Sequence, residues 1–84
     1  MTQVLLERAA AEELSKLRHP LFARINRILE RLEDWPEVSG VKPLSGNLAG
    51  HYRVRTGDYR VQFFLEDGSV VVEKIGHRDG FYED

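Results

Sequence analysis

The sequence predicts a single α+β domain over residues 1–84: a short N-terminal strand, a two-helix hairpin and then a three-stranded antiparallel sheet. Two observations support this prediction. Apolar residues recur at helical spacing before residue 33, and after residue 50 they alternate with polar residues in three runs bounded by turn residues. A chain of 84 residues is long enough for one modest core but too short for two domains.

The first part of the chain predicts a strand and two helices. Residues 3–6 are mostly apolar and can open the fold as a strand, and helical spacing of apolar residues begins after Arg8. Proline suits the first position of a helix, so a second helix should start at Pro20, and it should end at Pro36. One side of this helix is an apolar stripe of Leu21, Ile25, Ile28, Leu29 and Leu32.

The rest of the chain predicts a loop and a meander of three strands. Residues 37–50 are rich in glycine, proline, serine and asparagine, which is the composition of a loop. Three runs suited to strands follow, at residues 50–56, 58–66 and 69–76. Gly57-Asp58 and Asp67-Gly68 are dipeptides typical of the tight turns that connect antiparallel strands.

A two-residue turn at Gly57-Asp58 sets Arg55 opposite Arg60 and separates apolar from cationic side chains. One face then carries Tyr52, Val54, Tyr59, Val61, Phe63 and Leu65. The other face, called the arginine face below, carries Arg53, Arg55, Arg60 and Gln62. A register shifted by one residue would mix the two sets, so the hydrophobic pattern favours this pairing. Continuing the count through Asp67-Gly68 adds Glu73, Ile75 and His77 to the arginine face. A bend at Gly76 would bring Arg78 to the same side.

Composition limits the classes of function. The chain has no cysteine, which excludes disulfides and cysteine-based nucleophiles or metal sites and is compatible with a reducing cytoplasm. No apolar run has the length of a membrane span, and no secretory signal is recognisable. Residues 42–64 contain four basic residues and one acidic residue, whereas residues 65–84 contain two basic and six acidic residues. Binding to a polyanion must therefore depend on a local basic patch rather than on the overall charge.

Like charges that face each other across a sheet destabilise it, so a cluster of arginines on one face predicts an anionic ligand, with phosphate favoured. Cleavage of an RNA phosphodiester by the neighbouring 2′-hydroxyl needs a base, cations for the developing charge and an acid for the leaving oxygen. Arginine meets only the second need. The acid and base would come from His77, Tyr82, a carboxylate or a group whose proton affinity is tuned by nearby cations, and neither a metal ion nor another cofactor is expected.

One stretch of the sequence resembles a known family. It runs Leu44-Ser-Gly, then Gly50-His-Tyr-Arg-Val-Arg-Thr-Gly-Asp-Tyr-Arg-Val, then Val72-Glu-Lys-Ile-Gly-His-Arg, and ends at Tyr82. These residues resemble the RelE/ParE superfamily of bacterial and archaeal toxins, in particular the RelE-type mRNA interferases. The resemblance implies an α+β fold with an open active-site face, a cognate antitoxin, and cleavage of mRNA on the ribosome. Contact with DNA is implied only through the antitoxin complex.

The resemblance also implies roles for individual residues. Arg60 would hold the phosphate and Arg78 would stabilise the transition state. Tyr82 would orient the RNA or transfer a proton, and His77 is a candidate acid. RNA binding is expected of Lys42, Arg53 and Arg55.

Alternatives remain open from the sequence alone. Arginines that alternate along a strand are commonly just a solvated face, and a single histidine is more often structural than catalytic. On this reading His51 is a surface residue and His19 marks a helix start. A ParE-like toxin that poisons DNA gyrase without cleaving RNA would share the same fold. A degenerate member that only regulates through its antitoxin is a third reading.

Overall fold

A computed structural model describes residues 1–81 of the chain. The elements are β1 (Val4–Leu6), α1 (Arg8–Lys16), α2 (Leu21–Leu32), β2 (Val41–Pro43), β3 (His51–Thr56), β4 (Tyr59–Glu66) and β5 (Ser69–His77). The N-terminal part thus contains one strand and two helices, and the C-terminal part contains the other four strands. Two short 3-10 turns, Gly46–Leu48 and Arg78–Gly80, precede β3 and follow β5.

The strands form one five-stranded mixed sheet in the order β1-β5-β4-β3-β2. The predicted antiparallel meander is present as β3, β4 and β5, but the prediction of a three-stranded sheet is wrong because a short strand joins each edge. β1 pairs with β5 in parallel, and both helices and the other three strands lie between these two strands in the sequence. β2 lies within the segment predicted as a loop, and its Pro43 is tolerated because β2 is an edge strand.

The two predicted turns connect the central strands. Thr56 pairs with Tyr59 across Gly57-Asp58, and Glu66 pairs with Ser69 across Asp67-Gly68. Both residues of the second turn have positive φ, 52° at Asp67 and 80° at Gly68, as a type I′ turn requires. The first turn, at Gly57-Asp58, fixes the register of β3 against β4, and Arg55 pairs with Arg60 as predicted.

A β-bulge between Gln62 and Phe63 changes the predicted faces of β5. Along β5, Val72 pairs with Phe63 before the bulge. After the bulge, Lys74 rather than Glu73 pairs with Gln62. An extra residue in β5 reverses which side chains point to which face beyond that point. Glu73 stays on the arginine face, where it contacts Gln62.

The placement of Ile75 and His77 on the arginine face was wrong for the same reason. Ile75 pairs with Val61 and is buried in the core, and His77 pairs with Tyr59, against whose ring it packs edge-on. Both residues therefore belong to the face that the helices cover.

The core lies between that sheet face and the two helices. α2 contributes Ile25, Ile28 and Leu32 from the predicted apolar stripe, and α1 contributes Ala10. Of the side chains predicted for the apolar face, Val54, Val61 and Phe63 are buried, Tyr52 and Tyr59 pack against the core, and Leu65 is exposed. α2 ends at Leu32, before the predicted stop at Pro36. Within residues 1–81, no helix combines the length and apolar character that a membrane span needs.

Candidate functional site

The arginine face is assembled from neighbouring strands that the turns hold in register. Arg53 pairs with Lys42 on β2 and with Gln62 on β4, while Arg55 pairs with Arg60. The predicted common face of Arg53, Arg55 and Arg60 is therefore confirmed by strand pairing. Lys42 joins them because β2 adds a strand beside β3. The sheet thus presents four cationic side chains on its side opposite the core.

Two of these guanidinium groups are buried. Arg53 is 4% exposed and Arg60 is 8% exposed, whereas Arg55 and Lys42 are exposed. The arginine face is thus a recess, called the arginine recess below. Arg53 and Arg60 form its shielded floor, and Arg55 and Lys42 form its accessible rim. Electrostatic interactions are stronger where water is partly excluded, so an anion near the floor would gain more than one bound at the rim. Arginine suits such a position because it keeps its charge and binds phosphate oxygens in pairs.

A cavity of about 360 Å³ opens at the rim of this recess. Its lining includes Lys42, Arg53 and Arg55, together with Gly40 and Val41. A phosphate group bound there would meet three cations from two adjacent strands. The cavity lies at β2, the strand that the sequence reading missed.

The cationic surface continues from Arg55 onto helix α2. A smaller cavity of about 120 Å³ is lined by Arg55 and by three exposed arginines of the helix. These are Arg24, Arg27 and Arg31, called the α2 arginines below. Among residues 1–81, Arg24, Arg27 and Arg55 have no carboxylate within ion-pairing distance. Arg31 donates a hydrogen bond of 2.7 Å to the carbonyl oxygen of Ser39.

A hydrogen-bonded histidine lies on the arginine face beside these cations. The Nδ1 atom of His51 contacts Oε2 of Glu73, and Nε2 of Gln62 donates a 2.9 Å hydrogen bond to the same oxygen. The His51 ring packs against Phe64, with ring centroids 5.5 Å apart. The prediction of His51 as a surface residue missed this network. The signal was available, because the alternation of a strand places residue 51 on the same face as Arg53 and Arg55.

The residues after β5 lie at the other end of the sheet. The backbone N–H of Arg78 donates a 2.7 Å hydrogen bond to the Asp58 carbonyl oxygen. The Arg78 side chain is exposed, and its Nε lies 3.9 Å from a carboxylate oxygen of Asp58 and of Asp79. Nδ1 of His77 accepts a 3.1 Å hydrogen bond from the Asp79 backbone. Arg78 therefore lies beside the β3–β4 turn, and Tyr82 lies outside the described residues.

Comparison with known proteins places this architecture in a family. The chain matches, over residues 4–80, the family model of the ParE toxin of type II toxin–antitoxin systems. No curated protein sequence matches it. The RelBE2 toxin–antitoxin complex from Mycobacterium tuberculosis contains a similar chain, with 29% identity, a TM-score of 0.78, and coverage of 92% of this chain and 98% of that one.

Two further solved structures are similar. The RelE–RelB complex from Pyrococcus horikoshii has 25% identity and a TM-score of 0.74, covering 95% of this chain and 98% of that one. The isolated RelE toxin of E. coli, at 17% identity, shares the fold with a TM-score of 0.76, covering 92% of this chain and 84% of that one. The family match spans nearly all of the described residues and includes every strand of the arginine face. The chain belongs to the ParE toxin family of type II toxin–antitoxin systems, within the RelE/ParE superfamily.

Proposed function

We propose that this toxin is an endoribonuclease that cleaves mRNA by attack of a 2′-hydroxyl on the adjacent phosphodiester and so inhibits translation. The observation that carries the proposal is the shared face of Arg53, Arg55 and Arg60, with Arg53 and Arg60 buried. The repulsion between Arg55 and Arg60, which lie directly opposite each other, destabilises the sheet, and a bound anion would compensate for it. The attacking group belongs to the RNA itself, so this chemistry requires no metal ion.

In this proposal Arg60 holds the scissile phosphate at the shielded floor of the recess. Lys42, Arg53 and Arg55 bind the flanking RNA backbone, since all three line the cavity at the rim. Arg78 stabilises the transition state, as the resemblance to RelE-type toxins implies. That role requires its side chain to turn away from Asp58 when RNA binds.

The proton donor for the leaving 5′-oxygen remains a prediction from the same resemblance. Tyr82 is one candidate. His77 is the other, although it lies on the helix-covered side of β5 and would have to reach around the end of the strand.

We further propose a cognate antitoxin as the protein partner. The similar chains from M. tuberculosis and P. horikoshii were solved as toxin–antitoxin complexes. An antitoxin that covers the arginine face would inhibit the toxin by displacing RNA. Contact with DNA would then come through the antitoxin, and the site of action would be the cytoplasm, on translating ribosomes.

A second candidate function is poisoning of DNA gyrase without RNA cleavage. The description of the matching family model as a ParE toxin favours this alternative. The two functions share a fold, so strands and helices do not separate them. The arginine recess favours the nuclease, because a toxin that only binds a protein has no need for a shielded phosphate site.

Mapping of mRNA 5′ ends after induction of the chain tests the proposal. New internal 5′ ends in translated regions are expected within minutes of induction, before growth stops. The same measurement on purified mRNA with and without ribosomes tells whether the ribosome is required. Intact mRNA together with a DNA-damage response would contradict the nuclease and support the gyrase alternative.

The α2 arginines are expected to extend the RNA-binding surface beyond the recess. Replacing Arg24, Arg27 and Arg31 together with alanine removes cations that adjoin Arg55 in the smaller cavity. RNA binding should weaken for all sequences alike, and the slope of log Kd against log salt should fall by roughly two to three. The measurement is a salt titration of binding by fluorescence anisotropy. Arg8→Ala, an exposed arginine on α1, is the control, and an unchanged slope in the triple variant would contradict the prediction.

A further inference from the structure

The arginine recess has cations for the phosphate, but the proposed reaction also needs a base. Arginine cannot serve, because it does not deprotonate in proteins. His77, the histidine that the sequence placed on this face, lies on the other side of β5. Among the described residues, the histidine on the arginine face is His51. Its type matters, because histidine is the side chain whose ordinary titration lies between pH 5 and 8.

We propose that His51 is the general base of the reaction and that Glu73 is its positioning residue. The inference rests on the proposed nuclease function and adds to it a residue to which neither the family match nor the resemblance assigns a role. His51 shares its strand and its face with Arg53 and Arg55. It lies at the first residue of β3, beside the row formed by Lys42, Arg53 and Gln62, and that row separates it from the Arg55–Arg60 pair.

The contact with Glu73 fixes the ring and its tautomer. With the carboxylate ionised, Nδ1 of His51 carries a proton and donates it in the hydrogen bond to Oε2 of Glu73. Nε2 then holds the free lone pair that a base requires, as in histidine–carboxylate pairs of hydrolases. Gln62 holds the carboxylate in turn, by donating from Nε2 to the same oxygen at 2.9 Å.

Partial burial makes this arrangement more than a surface ion pair. The side chain of His51 is 29% exposed and that of Glu73 is 19% exposed, so both are shielded yet one edge of the ring remains reachable. Phe64 packs against the imidazole from β4 and limits its rotation. Exposed ion pairs contribute little to stability, whereas a shielded and packed pair holds a defined geometry.

The bulge in β5 adds Lys74 beside Glu73 on the arginine face and returns Ile75 to the core. Without the extra residue, Lys74 would follow the alternation onto the core side and Ile75 onto the arginine face. The bulge instead keeps Glu73 and Lys74 together over Gln62 while Val72 and Ile75 both enter the core. Bulges are common next to active sites because they redirect a side chain.

The chemical step balances within the RNA. Nε2 of His51 takes the proton of the 2′-hydroxyl, and the 2′-oxygen forms a bond to phosphorus. The bond from phosphorus to the 5′-oxygen breaks, and that oxygen takes a proton from an acid or from water. The products carry a 2′,3′-cyclic phosphate and a 5′-hydroxyl. His51 then returns its proton to solvent, so no oxidant, reductant or metal is consumed.

The test compares His51→Gln and Glu73→Gln with wild-type protein in single-turnover cleavage of a ribosome-bound mRNA. His51→Gln is expected to lower the cleavage rate by about 10²- to 10⁴-fold, with RNA binding unchanged. Glu73→Gln should lower kcat less and leave KM unchanged. His19→Gln, an exposed histidine before α2, is the matched control and should behave as wild type.

A substrate with a 5′-bridging sulfur separates a base from an acid, because thiolate leaves without protonation. The cleavage defect of His51→Gln should persist with this substrate. Rescue by the sulfur would assign His51 to the acid role and overturn the inference, as would wild-type activity of His51→Gln. If that variant does not fold, Glu73→Gln decides, since a folded Glu73→Gln protein with the kcat of wild type would overturn a base that Glu73 positions. Absence of cleavage by wild-type protein would instead reject the nuclease function itself.

Discussion

Replacing Arg60 with alanine is expected to lower the rate of RNA cleavage by about 10²- to 10³-fold and to abolish toxicity. Arg60 lies at the shielded floor of the arginine face, where it is 8% exposed. Charge that develops on the phosphate in the transition state is stabilised most by a fixed cation from which water is excluded. The measurement is single-turnover cleavage of mRNA together with growth after induction.

Loss of activity in Arg60→Ala must be separated from loss of folding, since its side chain is buried. Thermal denaturation of the variant gives the first check. Arg55→Ala gives the second, because Arg55 is exposed and faces Arg60 across the β3–β4 pair. Removing one of two opposed like charges should leave the melting temperature unchanged or raise it while activity falls. Full activity in a folded Arg60→Ala protein would contradict the assignment of the phosphate site.

Phe63→Ala is expected to cost about 3 to 5 kcal/mol of the free energy of unfolding. Phe63 is fully buried, its ring stacks on Tyr52 at 5.3 Å between centroids, and Trp35 meets it edge-on at 5.4 Å. Small domains have only about 5 to 15 kcal/mol in total, so the variant should be largely unfolded at growth temperature and non-toxic for that reason.

The check on Phe63→Ala is urea denaturation beside Leu65→Ala. Leu65 lies two residues further along β4 but is 40% exposed. Its replacement should cost less than about 1 kcal/mol and keep toxicity. Equal losses in the two variants would contradict the difference in burial between Phe63 and Leu65 along β4.

The register of the central hairpin was predictable because two local signals agree. Gly57-Asp58 favours a tight turn, and the alternation of Val54 and Val61 with charged residues allows only one pairing that buries the apolar set. The pairing of Arg55 with Arg60 followed directly. Register in a hairpin depends on residues that are close in sequence, so it can be read from a single chain.

The pairing of the edge strands and the bulge were not predictable in the same way. The strand at residues 3–6 was predicted, but its place beside β5 and the whole of β2 depend on pairing with distant parts of the chain. The bulge had a local sign, because the consecutive polar residues Glu73 and Lys74 interrupt the apolar alternation between Val72 and Ile75. Without the bulge, the alternation along β5 assigns His77 to the arginine face. His77 then serves as a candidate acid or base there, and no other base is sought.

The burial of Arg53 also depends on tertiary structure. With only three strands, Arg53 would lie on an edge strand and be open to solvent. In the five-stranded sheet it lies between Lys42 on β2 and Gln62 on β4, and it is 4% exposed. Strand β2, which the sequence did not predict, therefore makes the site a recess rather than an open basic surface. A recess suits phosphate binding better than an open surface does.

The most direct measurement of the central claim uses an mRNA with a single 2′-deoxynucleotide on the 5′ side of the cleaved bond. If the arginine recess holds a phosphodiester that is attacked by the neighbouring 2′-hydroxyl, the all-ribose mRNA gives a 2′,3′-cyclic phosphate and a 5′-hydroxyl. The substituted mRNA should bind with the same affinity and remain uncleaved at that position. Cleavage of the deoxy-substituted bond, or products with a 5′-phosphate, would contradict the account.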